Sequence, residues 1–357
     1  MVLRGAIAIV AAAFAVGARA QVAPRPFGPA PAMRSQSDSL AALTGWGDED
    51  HVEALKAVQA ACAAGRAPDL AAVCGAAAAL DFLDEAGARA FLEANFRVVP
   101  IAGAGRLTGY FMPIYEARAV PSEEFAAPVR PRPVDLPSQD LSPTARAPYA
   151  DRATIECRPT ADALAWMRPE DLFFMQIQGT GVLAFPDGER EKAVFAGDNG
   201  APFVGVAQPM RARGLISDQG GSADAIHTWL AQHRGSQAQA IMSLDPRYVF
   251  FSLMRDDGRD PFGAAGQRLL AGRSVAVDPA WHAMGELLWL DAEAPALAGA
   301  FPTYRRLAVA LDTGGAIKGQ VRADLYLGRG PAAGLEAGRV RHQLTLYRLV
   351  PRRRDDE

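Results

Sequence analysis

The sequence predicts an α+β protein whose functional half is mainly β. Three observations carry that reading. Helix-period apolar spacing is concentrated in residues 48–96; after Phe96 the chain runs mostly in short stretches rich in β-branched and aromatic residues; and from about residue 247 Gly and Pro punctuate those stretches closely. At 357 residues, half of them apolar and 22% charged, the chain reads as globular and suffices for about two ordinary domains.

The first residues, "MVLRGAIAIVAAAFAVGARAQ", combine a basic start at Arg4, a short apolar run and the small-x-small triplet Ala18-Arg19-Ala20. That is the pattern of a secretory signal peptide over 1–20, and no Cys follows it to carry a lipid anchor. The mature protein is expected to be exported and soluble. Residues 21–40 are a Pro- and Ala-rich, flexible lead-in. Val52, Leu55, Val58 and Cys62 recur at helical spacing behind Asp48, Glu49 and Asp50, and two further helices are expected at 69–80 and 85–96. Strands follow in "FRVVPI" and "RLTGYFMPIYEARAV" (106–120), whereas the prolines of 121–150 bar central strands and long helices. "PEDLFFMQIQGTGVLAFPDGERE" (169–191) reads as a hairpin with a Pro-Asp-Gly turn, and 222–234 as a helix capped by Ser222 and ended by Gly235.

The formal net charge of −3 gives no reason to expect nucleic acid as partner, and the only lysines are Lys56, Lys192 and Lys318. In an exported chain Cys62 and Cys74 are placed to close a short disulfide loop, leaving Cys157 over. The five histidines form no ligand pattern, and no nucleophile elbow, phosphate loop or dinucleotide fingerprint is present.

Three aspartates mark the candidate chemistry. By the strand period of two, Asp278 lies opposite Val275 and Val277, Asp312 opposite Leu307, Val309 and Leu311, and Asp324 opposite Ala323, Leu325 and Leu327. Asp278 and Asp312 stand at strand ends, where capping a turn is the plainer explanation. Asp324 stands inside a strand, where Asp is depleted and a carboxylate is either costly or useful. Gly314-Gly315 supplies unusual backbone angles or close approach, and Lys318 can pair with an acid or contact a ligand. Gln176 and Gln178 share one face of the expected strand, offering donors and acceptors suited to sugar hydroxyls and N-acetyl groups, or simply a polar exposed face. Tyr110 can stack on a sugar ring or serve the core.

Together, "LTGYFMPIYEA", "DLFFMQIQGTG", "FAGDNG" (195–200), "YVFF" (248–251), "RSVAVDP", "LDTGGAIKG" and "RADLYLGRGPAAG" resemble the membrane-bound lytic murein transglycosylase A family with its C-terminal three-aspartate domain, over about 92–350. The resemblance implies a double-psi β-barrel domain, here 41–112 with 256–350 (three-aspartate region about 270–350), a smaller β-domain inserted at 113–255, and a groove between them. It implies a peptidoglycan lytic exotransglycosylase that cleaves the MurNAc-β-1,4-GlcNAc bond without water, leaving 1,6-anhydro-MurNAc ends. One aspartate acts as acid and then base, and its motif position matches Asp324. Asp312 matches the second acid of the site and Asp278 a structural third. Thr108, Gly109, Tyr110, Gln176, Gln178, Gly179 and Lys318 fall at glycan-binding positions. No cofactor or metal is implied; the partners are peptidoglycan glycan strands and other cell-wall enzymes. The family's named member is a lipoprotein, from which this chain departs in lacking the lipid-attachment Cys; Thr180 also replaces the usual Ser. Two rivals stand beside this reading: a hydrolase using Asp312 and Asp324 as its pair, and a peptidoglycan-binding module without turnover.

Overall fold

The computed structural model describes residues 38–78, 84–137, 149–217, 223–294 and 301–352. The expected signal peptide, the lead-in up to residue 37 and the Ser222 cap lie outside these residues. In chain order α1 (His51–Ala64), α2 (Ala71–Ala78) and α3 (Glu85–Asn95) precede β1 (Phe96–Met112), β2 (Ile114–Glu116) and β3 (Ala127–Val129). Then come α4 (Arg152–Glu156), β4 (Ala165–Met167), α5 (Pro169–Gln178), β5 (Thr180–Ala184) and β6 (Arg190–Asp198). A helical stretch, α6 (Ala207–Ala212), α7 (Ala223–Gln232) and α8 (Ser236–Met242), leads to β7 (Val249–Arg255). The chain finishes with β8 (Ser274–Val277), β9 (Leu287–Glu293), β10 (Thr303–Thr313), β11 (Arg322–Arg329), α9 (Gly330–Ala337) and β12 (Arg341–Pro351).

Six strands close into a barrel in the order β1-β11-β8-β10-β9-β12. The β1–β11 and β8–β10 pairs are parallel and the other four antiparallel, giving the double-psi barrel expected. Its lumen is a dry cluster drawn from every strand, among them Leu107, Val275, Leu290, Ala308, Leu325 and Leu346. The long β1 first pairs with β12 and then with β11, its register shifting between Ile101 and Gly105. A Cβ on Gly105 would sit 1.6 Å from the Val321 carbonyl oxygen, so only glycine lets the two backbones meet there.

The outer face of β9 and β10 is equally apolar. Leu287, Trp289, Leu307, Val309 and Leu311 bury against Leu55, Val58 and Ala61 of α1 and Leu92 of α3. Asp50 and Asp84 cap α1 and α3 by accepting the N–H groups of Glu53 and Gly87. Cys62 and Cys74 form a disulfide joining α1 to α2, and Cys157 is free. Glu49 is buried where this layer meets the barrel. It accepts the Leu307 N–H at 2.6 Å and an Arg273 guanidinium N–H at 2.9 Å, while Arg273 also donates to the Leu307 carbonyl at 3.1 Å.

A second sheet, β2-β5-β6-β7, and the β3–β4 pair come from 114–255. The expected hairpin over 169–191 is only half right. β5 and β6 do pair around the Pro-Asp-Gly turn, but 169–178 is helix α5. Pro169 sits in its first turn with Glu170 and Asp171, which favour a helix N-terminus, and Gly179 ends it at φ 79°. Both faces of α5 are apolar because each packs on something. Leu172 and Met175 meet the sheet residues Leu183, Val249 and Phe251, while Phe173 meets Ile226, Leu230 and Met242. That two-sided burial hides the helical period.

Arg273→Leu removes the buried cation from Glu49 and leaves it the Arg306 guanidinium at 3.6 Å and the Asp50 and Leu307 N–H groups. Breaking a buried pair costs roughly 3–5 kcal/mol, and urea unfolding is expected to show a loss approaching that size. A loss below about 1 kcal/mol would mean that Arg306 and the backbone N–H groups satisfy Glu49.

Candidate active site

The register brings the acids together. Asp312 of β10 lies opposite Ala276 of β8, Ala276 opposite Asp324 of β11, and Asp324 opposite Thr108 of β1. Strict alternation would instead leave Asp312 on the side of Ala308 and Ala310, which point into the lumen. A bulge between Ala310 and Asp312 shifts the pairing by one and turns Asp312 outward beside Asp324. Alternation therefore holds for Asp324 and Asp278 and fails for Asp312.

This row floors a cleft of about 170 Å³ between the two sheets. Gly109, Tyr110, Asp312, Asp324 and the 313–317 turn line it from the barrel side, and Ile177, Gln178, Phe203 and Arg247 from the other. Gly314 and Gly315 have no positive φ; smallness is their use. A Cβ on Gly314 would come within 2.9 Å of Ile317, and one on Gly315 within 3.9 Å of Phe203 across the cleft.

The two half-buried acids differ in their partners. Asp312 accepts the Ala264 and Thr313 backbone N–H groups at 3.0 and 2.9 Å and the Tyr110 hydroxyl at 2.9 Å. Burial pushes its pKa up, and these three donors oppose the rise. Asp324 accepts a hydrogen bond from the Thr108 hydroxyl, whose oxygen in turn takes an Arg322 N–H at 2.8 Å. Burial raises the Asp324 pKa and the neighbouring Asp312 charge adds to it, against Thr108 and Arg322. Asp324 is thus the carboxyl with room for a proton and an open face towards the cleft. Burial and Asp312 likewise hold the Tyr110 phenol protonated as a donor, its pKa raised well above the ordinary value.

The remaining sequence-predicted residues separate. Gln178 lines the cleft with its Oε1 buried and without a hydrogen-bond partner among the described residues. Gln176 does not share its face, as two residues on a strand would. It is buried behind the cleft, accepting from Arg152 at 2.6 Å and donating to the Val249 carbonyl at 3.2 Å. Gly179 acts as the α5 terminator. Asp278 accepts the Gly319 and Ala280 N–H groups at 2.8 and 3.2 Å, and the exposed Lys318 ammonium stands 3.7 Å away. Burial alone would raise the Asp278 pKa, but these donors bring it below the ordinary value. Asp278 is the turn-capping acid, and Lys318 serves it from outside the cleft lining. Sequence reasoning missed Phe203, Ile177 and Arg247. Arg247 directly precedes "YVFF" and donates to Asp198 of "FAGDNG" at 2.9 Å, a pairing two selected motifs contained but their spacing concealed.

Two family profiles match the chain: the MltA specific insert domain over 106–252 and the 3D domain over 273–350. The chain is 33% identical over 252 residues to the membrane-bound lytic murein transglycosylase A of Vibrio cholerae, covering 68% of this chain and 64% of that protein. It is 33% identical over 247 residues to the Escherichia coli K12 protein of the same name, so it spans about 64% of the length of these curated relatives. Among solved structures, a membrane-bound lytic murein transglycosylase from Agrobacterium tumefaciens superposes with a TM-score of 0.76 at 28% identity, covering 88% of this chain and 97% of that one. E. coli MltA with bound chitohexaose gives 0.65 at 27%, covering 85% and 90%.

A carboxyl whose folded pKa is raised binds protons that the unfolded chain has released, so it lowers stability as pH climbs through the interval above its unfolded value of about 3.9. Asp324→Asn keeps the shape and removes the charge. Thermal unfolding is expected to give the variant a higher Tm than wild type at pH 7, with the gap closing below about pH 4. A variant less stable at pH 7 would mean that the Asp324 charge is well solvated.

Proposed function

Since the chain belongs to the membrane-bound lytic murein transglycosylase A family, we propose that it cleaves the MurNAc-β-1,4-GlcNAc bond of peptidoglycan by intramolecular transfer, leaving 1,6-anhydro-MurNAc ends. The observation that carries the reading is the asymmetry of the two acids at the cleft floor: burial raises both pKa values, but Asp312 is held by three donors and Asp324 by one side-chain donor. A protonated Asp324 gives its proton to the glycosidic oxygen as the C1–O bond breaks. The carboxylate so formed takes the proton of the muramyl C6 hydroxyl as that oxygen bonds to C1, which regenerates the acid. One residue serves both steps, where hydrolytic glycosidases divide them between two carboxyls.

Thr108 and Arg322 orient Asp324, while burial and, after it, the charge of Asp312 raise its pKa in the direction a general acid needs. The Gln178 Oε1 is free to accept an N-acetyl or hydroxyl hydrogen of the glycan. General acid catalysis supplies about 10²–10⁴-fold, so holding the C6 hydroxyl against C1 supplies much of the rest. The reading treats 113–255 as an inserted domain on a barrel of 41–112 and 256–350, which the strand membership of the two sheets supports. It includes export to the periplasm, supported by the Cys62–Cys74 bridge, and glycan strands and other cell-wall enzymes as partners.

Mass spectrometry of muropeptides released from purified sacculi tests it. The wild type is expected to release 1,6-anhydro products and Asp324→Asn to lose at least 100-fold, the low end of the general-acid term. Reducing-end products would identify a hydrolase pairing Asp324 with Asp312, and retention on sacculi without release a binding module.

A further inference from the structure

The row that carries the acids continues past them. Thr108 of β1 lies opposite Arg341 of β12, so Asp312, Ala276, Asp324, Thr108 and Arg341 run in line across five strands. Along the same outer face, two residues before Thr108 and Asp324, Arg106 and Arg322 lie directly opposite each other. Three guanidinium groups therefore begin where the carboxylates end. Asp324 and Arg341 are two strand spacings apart, roughly 10 Å between backbones, within the span of one substituted sugar.

The three arginines are not equivalent. Arg322 is committed: it donates to Thr108 and to the Arg106 and Ala323 carbonyls. Arg106 and Arg341 are exposed, and among the described residues their guanidinium groups have neither an ion pair nor a side-chain hydrogen bond. Burial depresses the Arg322 pKa against the neighbouring Asp324 charge, and Arg106 adds to the fall, so Arg322 is balanced by Asp324 while Arg106 faces it as a like charge. Beside the reacting acid, on the row that carries it, the two exposed guanidinium groups of Arg106 and Arg341 leave positive charge that suits an anionic ligand.

The substrate offers one. Each muramyl residue carries a lactyl-linked peptide stem with free carboxylates, and a guanidinium fork matches a carboxylate in two hydrogen bonds. The geometry points to Arg106 and Arg341 as the site that holds the acidic peptide stem of the muramyl residue whose glycosidic bond lies on Asp324. The assignment rests on the transglycosylase reading and extends it from the glycan to its substituent. Arg322 stands behind the pair as the positioning residue for Thr108. The strip makes the protein selective for stem-bearing over stripped glycan, and it does so through exposed charge, so salt weakens the preference.

The test compares kcat/KM on stem-bearing glycan strands with that on the same strands stripped of stems by an amidase, their exposed lactyl carboxylates then capped as methylamides, at low salt. The Arg106→Gln/Arg341→Gln double variant is expected to lose roughly fivefold to tenfold of the wild-type preference, the scale of two exposed charge contacts. Arg106→Lys/Arg341→Lys is expected to recover part of it, and added salt to erode the wild-type preference. An unchanged ratio, or equal losses on both substrates, overturns the assignment. Should the wild type release anhydro products from neither substrate, the transglycosylase reading falls. Co-sedimentation with stem-bearing and stripped sacculi then decides the arginines separately, equal retention by wild type and variant counting against them.

Discussion

Strand register across β10, β8, β11 and β1 is the constraint on which the rest depends. Because successive side chains alternate between faces, a slip of one residue would carry Asp324 into the lumen and Leu325 out to the cleft. The lumen has no place for it: Leu107, Val275, Val277, Ala308, Ala310 and Ala323 are wholly buried there and offer no donor. Register is held from outside as well, since Leu307, Val309 and Leu311 must face α1. Glu49 and Arg273 bind the backbone of β10 at Leu307 from that layer. The row of acids is thus fixed by apolar packing on both sides of the wall that carries it.

Within that row, chemistry follows from counting donors. Both acids are pressed upward in pKa by burial, yet Asp312 meets two backbone N–H groups and a phenol while Asp324 meets one hydroxyl. A carboxyl held by three donors is a poor proton carrier and a good fixed charge. One held by a single donor, beside that fixed charge, is a good carrier. Ala276 lies between them and lines the same cleft with only a methyl group.

The legible parts were those where one period dominates. The helices at 48–96, the strand faces of Asp278 and Asp324, and the Cys62–Cys74 pair could be read because local pattern and tertiary packing agree. The 169–178 segment was misread because burial on two sides removes polar contrast, leaving Pro169, the first-turn acids and Gly179 as the only helical cues. The bulge before Asp312 had no local mark, since it answers to pairing with β8. Arg247 and Phe203 reach the cleft from connections between elements, and no spacing rule ties them to acids more than 60 positions away.

The chain leaving the second sheet shows how the two cleft walls are kept in relation. Lys192 on β6 donates to Asp257 at 2.8 Å and to the Arg259 carbonyl at 3.0 Å, and Arg329 at the end of β11 donates to Asp256 at 2.6 Å. Replacing such pairs with apolar residues commonly costs a fold nothing, so net stability is a weak account of them. Position is a better one. Asp260 of the same segment accepts the Tyr326 hydroxyl at 2.7 Å; the Tyr326 ring packs 5.3 Å from that of Tyr110, and Tyr110 donates to Asp312. The segment that sets where one wall stands therefore reaches the fixed charge of the site through two side chains. A shift in that wall would disturb Tyr110, then Asp312, and through Asp312 the proton affinity of Asp324. Cleft geometry and acid strength are in this way not independent properties of the protein.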